Sequence, residues 1–377
     1  MFSMGDVFFL WWTILHGEKP WLGFKRSAVR SQRALLFMCL VGLSGVAVAG
    51  EPFVPRITAR LTAQDIGLVI NVNDPYSVEV GNFYIEARKL LPAQVLRVEL
   101  PVRAELSVDE FQALDARVKE FFGPGIQALA LAWSQPFAVD CNSITGALAM
   151  GFDRALCVKS CAPSRKSSYF NAYTARPFAD LQIRPAMLLA GKSVEMAQDM
   201  IRRGVASDHT LGLRGSPPVN AHYLITFDTA RSSRAPLFPP PGLLRDFGVD
   251  VHVEKSNVLK DVDRLLIYET GLAQVDKLDS LKWVPGGVGD HLTSYGGRLD
   301  DKGGQMSAIE WIASGATGSY GTVSEPCSHP QKFPHPQILL LHYVQGASLI
   351  EAYWKSVVWP QQGLFIGEPL AAPFAHR

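Results

Sequence analysis

The stretch Ile66-Gly-Leu-Val-Ile-Asn-Val72 decides the fold. It is a short, continuous apolar run with β-branched residues, which is typical of a strand buried on both faces of a sheet. Asn73-Asp74-Pro75 ends the run, and Ser77 is a candidate N-cap for a helix that extends to about Leu90. A buried strand followed directly by a helix predicts an α/β unit with a parallel sheet.

The alternation of strands and helices continues along the chain. Two capping boxes, Ser107-Val-Asp-Glu110 and Ser348-Leu-Ile-Glu351, predict helix starts, because the Ser and Glu side chains accept hydrogen bonds from free backbone amides. Further strands are predicted over residues 95–100, 126–133, 222–227, 249–253, 265–268, 316–323 and 363–366, and further helices over 193–203, 305–313 and 338–344. We predict a three-layer α/β fold with a mainly parallel sheet, helices on both faces and a caspase-like or flavodoxin-like core. The sequence contains no evident internal repeat.

Length and composition place the chain among globular proteins. Its 377 residues are 47% apolar and 19% charged, which excludes a disordered chain. The length predicts two domains, or one large α/β unit with an extension. We place the two domains at residues 50–230, with a cysteine-containing loop, and at residues 243–377, which would be caspase-like. A Pro-rich linker at 231–242 would separate them. With 36 basic and 35 acidic residues the net charge is +1, so no basic face is indicated and nucleic acid is not an expected partner.

Residues 1–49 resemble a secretory signal region. Lys25, Arg26 and Arg30 precede a short apolar run at residues 34–43, and Ala47-Val-Ala49 supplies a small-residue cleavage site. The run is shorter than the roughly 20 residues of a membrane span, although a retained N-terminal anchor stays an alternative. Residues 7–15 form a second apolar patch, which suggests an over-extended start. We expect an exported protein, periplasmic or extracellular, with no membrane span in its mature chain.

Four cysteines remain after Cys39 leaves with the signal: Cys141, Cys157, Cys161 and Cys327. In an oxidising compartment four cysteines allow three pairings. Cys157 and Cys161 are the obvious local pair for a disulfide, and free thiols are the main alternative. A metal site is not expected here, because no second pair of ligands follows at the usual spacing.

Polar residues at predicted strand ends are the places to look for chemistry, since ligands of open parallel sheets bind at the carboxyl ends of the strands. Asn71, Asn73 and Asp74 follow the first strand and would either orient a ligand or form an ordinary turn. A second group is the glycine-rich stretch Asp290-His291-Leu-Thr293-Ser294-Tyr-Gly296-Gly297, where His291 would serve as a general base and Thr293 and Ser294 would contact a ligand. This stretch matches no phosphate-binding motif.

The third group of candidate residues contains Cys327, which directly follows a predicted strand of small residues. A thiol at this position, faced by His291, is the layout of a Cys–His nucleophile pair. Two alternatives stay open. A disulfide between Cys141 and Cys327 would abolish the thiol, and Cys327, His329 and His335 would form a metal site of no common template.

Several stretches resemble an uncharacterised family of exported bacterial proteins over about residues 60–374. They are residues 67–73, the segment around Cys157 and Cys161, and residues 231–234, 291–297, 316–327, 331–334 and 363–370. The C-terminal third is also distantly similar to gingipain-type and caspase-like cysteine peptidases, in which a His follows one strand and the nucleophilic Cys follows the next. His291 and Cys327 occur in that order, and Gly367-Glu-Pro-Leu370 resembles the closing segment.

Two functions are therefore predicted. The first is a divergent cysteine hydrolase with Cys327 as nucleophile, His291 as base and the backbone near Gly296 and Gly297 as oxyanion donors. The second is a non-catalytic envelope protein that binds a peptide or another envelope component. No cofactor is indicated by either.

Overall fold

The computed structural model describes residues 53–300 and 304–375, and the signal region lies outside the described residues. Within these residues, eleven strands form one large sheet and three short strands form a second. The large sheet contains β1 Ile66–Asn71, β2 Val95–Val98, β4 Ala128–Leu131, β7 Ala186–Leu188, β8 Val219–Ile225, β9 Gly242–Leu244, β10 Val249–Lys255, β11 Leu265–Thr270, β12 Trp283–His291, β13 Gly318–Thr322 and β14 Gly363–Gly367. The small sheet contains β3 Glu105–Leu106, β5 Ala138–Val139 and β6 Asn142–Ser143.

Nine α-helices lie in the described part of the chain. They are α1 Pro75–Arg88, α2 Val108–Phe121, α3 Ile144–Met150, α4 Arg154–Val158, α5 Pro177–Leu181, α6 Val194–Ser207, α7 Ile309–Ala313, α8 Pro336–Val344 and α9 Leu349–Ser356. Short 3-10 helices cover Pro92–Gln94, Arg231–Leu237, Leu278–Ser280, Pro330–Lys332 and Pro360–Gln362. The large, mostly parallel sheet with its helices confirms the predicted three-layer α/β fold.

The strand order divides the large sheet into two halves with the same topology. The order is β2-β1-β4-β7-β14-β13-β12-β11-β8-β10-β9. We call β1, β2, β4, β7 and β14 the N-terminal half-sheet, and β8, β10, β11, β12 and β13 the C-terminal half-sheet. Numbered in chain order within each half, both read 2-1-3-4-5, the flavodoxin-like order. β13 and β14 join them and pair antiparallel, so the two half-sheets run in opposite directions. The repeat that the sequence does not reveal is therefore present in the topology.

Local signals in the sequence set most helix starts. Ser107 and Glu110 form the predicted capping box of α2. The start of α1 differs from the prediction, because Asp74 is its N-cap and accepts a hydrogen bond from the Tyr76 amide at 3.0 Å. Ser77 instead accepts one from the Asn71 amide at 2.8 Å, which closes the turn between strand and helix.

The predicted linker is part of the folded core. Residues 231–237 form a 3-10 helix, and Arg234 within it is 1% exposed. The predicted domain boundary also does not coincide with the boundary between the two half-sheets. β8 precedes residue 231, but it pairs with β10 and β11 of the C-terminal half-sheet. Prolines limit regular structure here but do not prevent burial, so the Pro-rich composition was not a sign of a solvated linker.

The predicted glycine-rich loop begins inside a strand. Gly286, Gly287 and Gly289 belong to β12, which the sequence pattern did not reveal. A Cβ atom at Gly289 would lie 2.4 Å from the Trp311 ring, so the strand requires glycine to pack against that side chain. The glycines of this strand serve close packing rather than a loop.

Candidate functional site

Two disulfides are present among the described residues, and neither is the predicted one. Cys141 pairs with Cys157, and Cys161 pairs with Cys327. The predicted Cys157–Cys161 bridge was wrong because the start of α4 is fixed beside the small sheet. The Asn142 side chain donates to the Asp153 carbonyl at 3.1 Å and accepts from the Asp153 amide at 3.0 Å, which places the helix next to Cys141.

Cys327 therefore has no free thiol in this structure. Its Sγ is bonded to Cys161, whereas a nucleophile must be a thiolate. The disulfide also removes Cys327 from the alternative metal set with His329 and His335, and it excludes the alternative Cys141–Cys327 bridge. The assignment of Cys327 as a nucleophile is corrected accordingly.

His291 is a fully buried core residue with both ring nitrogens engaged. Nδ1 accepts a hydrogen bond from Trp311 Nε1 at 2.9 Å, and Nε2 lies 3.0 Å from the Met306 carbonyl, to which it donates in the neutral tautomer. Burial lowers the pKa of His291 to about 3. The ring has no free lone pair for a substrate proton, so the structure does not support its predicted role as a general base.

The polar residues after His291 are hydrogen-bonded to other residues of the protein. Thr293 Oγ1 donates to Gln305 Oε1 at 2.5 Å, and the Ser294 carbonyl accepts from Thr322 Oγ1 at 3.0 Å. A Cβ atom at Gly297 would lie 2.6 Å from the Gly321 carbonyl oxygen. Gly296 and Gly297 thus let two backbone segments approach closely, and the Gly297 amide donates to the Thr322 carbonyl rather than to an oxyanion. The predicted oxyanion site is a packed corner of the fold.

Asn71, Asn73 and Asp74 form a turn, the ordinary alternative to a ligand site. Asn71 is fully buried, and its side chain accepts from the Leu100 amide at 2.9 Å and donates to the Leu100 carbonyl at 3.2 Å. The Asn73 amide donates to Asn71 Oδ1 at 3.2 Å, and Asp74 caps α1. Burial raises the pKa of Asp74, although its bonds to backbone amides oppose the shift.

A groove elsewhere on the molecule has the features of a binding site. It lies beside α2, the end of α3 and α5, and its volume is about 360 Å³. Apolar side chains line part of it: Val118, Leu148, Met150, Leu181 and Ile183. Its ionic side chains are Lys119, Arg165, Lys166, Arg184 and one acid, Asp115. We call this feature the cationic groove.

The cations of the groove fall into two kinds. Arg184 is buried, lies 3.6 Å above the Phe178 ring and donates to the Ile126 carbonyl at 3.0 Å, so it is a fixed part of the wall. Burial lowers its pKa to about 10, which leaves it charged at neutral pH. Lys119 is paired with Asp115 at 2.5 Å. Arg165 and Lys166 are exposed, so their charges are available to a ligand.

The segment that carries Arg165 and Lys166 is fixed by covalent bonds. Residues 153–166 contain four basic side chains and one acid, Asp153. Cys157 and Cys161 within this segment are both in disulfides, and the buried Lys332 donates to the Ser160 carbonyl. The positive segment is therefore pre-organised rather than free to move, which lowers the entropic cost of binding.

Sequence reasoning missed the groove because its residues are separated along the chain. The balanced total charge also concealed a local excess, since the chain from Gly50 onward has 31 basic and 33 acidic residues. The adjacent pair Arg165-Lys166 within a stretch that contains a single acid was the signal that could have revealed it.

No helix among the described residues has both the length and the apolar character needed to cross a bilayer. No family model, curated protein or solved structure matches this chain.

Proposed function

We propose that this chain is an exported, non-catalytic binding protein whose cationic groove holds an acidic peptide segment. The observation that carries the proposal is the groove itself, where four basic side chains accompany a single carboxylate. An apolar floor accommodates an aliphatic or aromatic side chain of the peptide, and the cations attract its carboxylates.

The location rests on the cysteines and on the signal-like residues 1–49. Two disulfides in one chain are typical of proteins that fold in an oxidising compartment. The resemblance to an exported bacterial family supports the same location. The described residues also lack a helix that could span a membrane.

A binding role accounts for the observations better than the hydrolase alternative. Hydrolysis by the predicted pair requires a thiolate at Cys327 and a free lone pair on His291. The first is in a disulfide and the second has both nitrogens engaged. A binding protein requires neither, and it benefits from the disulfides that hold its positive segment.

The proposal is tested with a fluorescent peptide of alternating glutamate and leucine residues, measured by anisotropy. We expect saturable binding that weakens with salt, because exposed charges are screened over about 10 Å at 0.1 M ionic strength. The double variant Arg165→Glu/Lys166→Glu should weaken binding by at least about tenfold, which corresponds to about 1.4 kcal/mol.

The matched control is Arg245→Glu/Lys260→Glu, which reverses one exposed Arg and one exposed Lys outside the groove. It should leave the affinity within about twofold of the unmodified protein, since distant surface charges contribute little. A peptide of alternating lysine and leucine should not bind. An equal loss of affinity for the acidic peptide in both double variants would contradict the proposal. So would tighter binding of a short DNA duplex than of the acidic peptide.

A further inference from the structure

Three side chains of the kind that ligate transition metals lie together near one edge of the C-terminal half-sheet. His222 is on β8, and His252 and Glu254 are on the neighbouring strand β10. His222 and His252 are direct partners in the parallel register. Glu254 projects from the same face as His252, because side chains alternate along a strand with a period of two. One potential ligand atom from each residue lies within 4.8 Å of the others.

The contacts within this cluster are close. His222 Nδ1 lies 3.1 Å from Glu254 Oε1, and the two imidazole rings stack with centroids 4.4 Å apart. Asp250 Oδ2 is 3.6 Å from His252 Nε2, which adds a second carboxylate at the edge of the cluster. Two imidazoles and a carboxylate form the ligand set of many zinc sites that keep one position open.

Exposure favours a cation at this position. The His222 side chain is 8% exposed, whereas those of His252 and Glu254 are 35% and 48% exposed, so an ion has direct access from solvent.

We propose that His222, His252 and Glu254 form a binding site for a divalent transition-metal ion of the zinc class. The stacked rings are nearly parallel, at 11°, so their lone pairs do not yet converge. His252 is the ligand that tilts when the ion enters, because it is the more exposed of the two histidines. The site could not be predicted from the sequence, since His222 and His252 are far apart in the chain and follow no metal-binding spacing.

The site is independent of the proposed peptide binding. Its three residues belong to β8 and β10, whereas the cationic groove is formed by residues 115–184. Either proposal can therefore fail without the other.

The test is a titration of the tag-free protein with Zn²⁺ in competition with a chromophoric chelator. The unmodified protein should bind one Zn²⁺ ion. His252→Gln and Glu254→Gln, which change exposed side chains, should each weaken binding by at least about tenfold. The matched control His329→Gln alters a histidine outside the cluster and should bind like the unmodified protein. Mg²⁺, which prefers oxygen ligands, should not compete.

A thermal-unfolding series provides a second measurement. Excess Zn²⁺ should raise the midpoint of the unmodified protein and of His329→Gln, because a ligand that binds only the folded state stabilises it. It should raise the midpoint of His252→Gln less, because weaker binding stabilises the folded state less at the same Zn²⁺ concentration. Equal Zn²⁺ affinity in His252→Gln and the unmodified protein, or no saturable binding, would overturn the proposal.

Discussion

The two half-sheets have the same strand order but differ in what their strands bury. The central strand of the N-terminal half-sheet, β4, reads Ala128-Leu-Ala-Leu131 and is fully buried. The C-terminal half-sheet places Tyr223, Glu269 and Asp290 side by side on β8, β11 and β12. One topology is thus compatible with an apolar central strand, as in β4, and with a central strand that carries a buried acid, Glu269 on β11.

The charged interior of the C-terminal half-sheet depends on one arginine. Arg234 Nη2 lies 2.5 Å from Asp290 Oδ1, and Nη1 lies 3.2 Å from Glu269 Oε2; all three side chains are 1% exposed. Burial and the neighbouring Asp290 raise the pKa of Glu269, while Arg234 opposes the shift. Arg234 lies closer to Asp290 than to Glu269, so Arg234 and Asp290 form the shorter ion pair of the cluster. The difference between the halves is one of position: the ion pairs of the C-terminal half lie on its inner strands β11 and β12, whereas the buried pair Arg88–Glu368 lies beyond the end of β14.

The largest loss of stability is expected when the Cys161–Cys327 disulfide is removed, because this bridge links a segment beside the N-terminal half-sheet to a segment beside the C-terminal half-sheet. Cys161 follows α4, Cys327 follows β13, and the bridge closes 166 residues, whereas Cys141–Cys157 closes 16. By chain entropy, Cys161→Ser/Cys327→Ser should cost about 5 kcal/mol and Cys141→Ser/Cys157→Ser about 3 kcal/mol. Urea unfolding measures the free energy of unfolding of both double variants. A larger loss of stability on removal of the Cys141–Cys157 bridge would contradict this ranking.

The second prediction concerns the buried charges. Arg234→Met should destabilise the protein by about 3–5 kcal/mol, since it leaves two carboxyl groups buried without their cation. The comparison is Arg184→Met beside the N-terminal half-sheet, where a buried arginine donates to backbone carbonyls alone and the expected loss is about 1–3 kcal/mol.

The same urea series, extended to lower pH, identifies the cause of the loss. The cost of Arg234→Met should shrink as Asp290 becomes protonated, whereas the cost of Arg184→Met should not follow that titration. A smaller loss for Arg234→Met than for Arg184→Met at neutral pH would show that the charged cluster is not what stabilises this half.

The smallest effect is expected at His291. His291→Leu leaves the Met306 carbonyl and the Trp311 indole without partners and should cost about 1–3 kcal/mol. His291→Gln should cost less, because its amide offers both a donor and an acceptor. Similar losses in the two variants would indicate that packing, not hydrogen bonding, is what His291 supplies.

His291 also gives the protein a pH dependence of known sign. The unfolded chain takes up a proton near pH 6.5, while the folded His291 stays neutral down to about pH 3. Between these values the unfolded state binds more protons, so stability falls as pH falls, by up to about 1.4 kcal/mol per pH unit for this group. Both His291 variants should show a shallower slope across that window than the unmodified protein. An unchanged slope would contradict the assigned protonation state.

The difference between local signals and contacts of distant residues explains which parts of the fold the sequence could predict. β1 and α2 were predictable because their signals are local: a continuous apolar run in one and a capping box in the other. β12 was not, because Pro285 and three glycines obscure its pattern, and only the packing of Trp311 against Gly289 explains them. Arg234 was likewise placed in a linker, since nothing local in the sequence indicates its partners on β11 and β12.

The candidate sites were less predictable than the fold. His291 and Cys327 occur in the order of a catalytic pair, but chain order does not reveal that Cys161 approaches Cys327 across 166 residues. The cationic groove and the metal site each depend on residues from separate elements. Only the pair Arg165-Lys166 could have been noticed in the sequence alone.

Alkylation and peptide mapping of the folded, unreduced protein test the central claim most directly, that the region around Cys327 is structural rather than catalytic. After treatment with iodoacetamide at neutral pH, we predict a Cys161–Cys327 cross-linked peptide and an unmodified Cys327. Rapid alkylation of Cys327 would contradict the claim and restore a thiol nucleophile to the molecule.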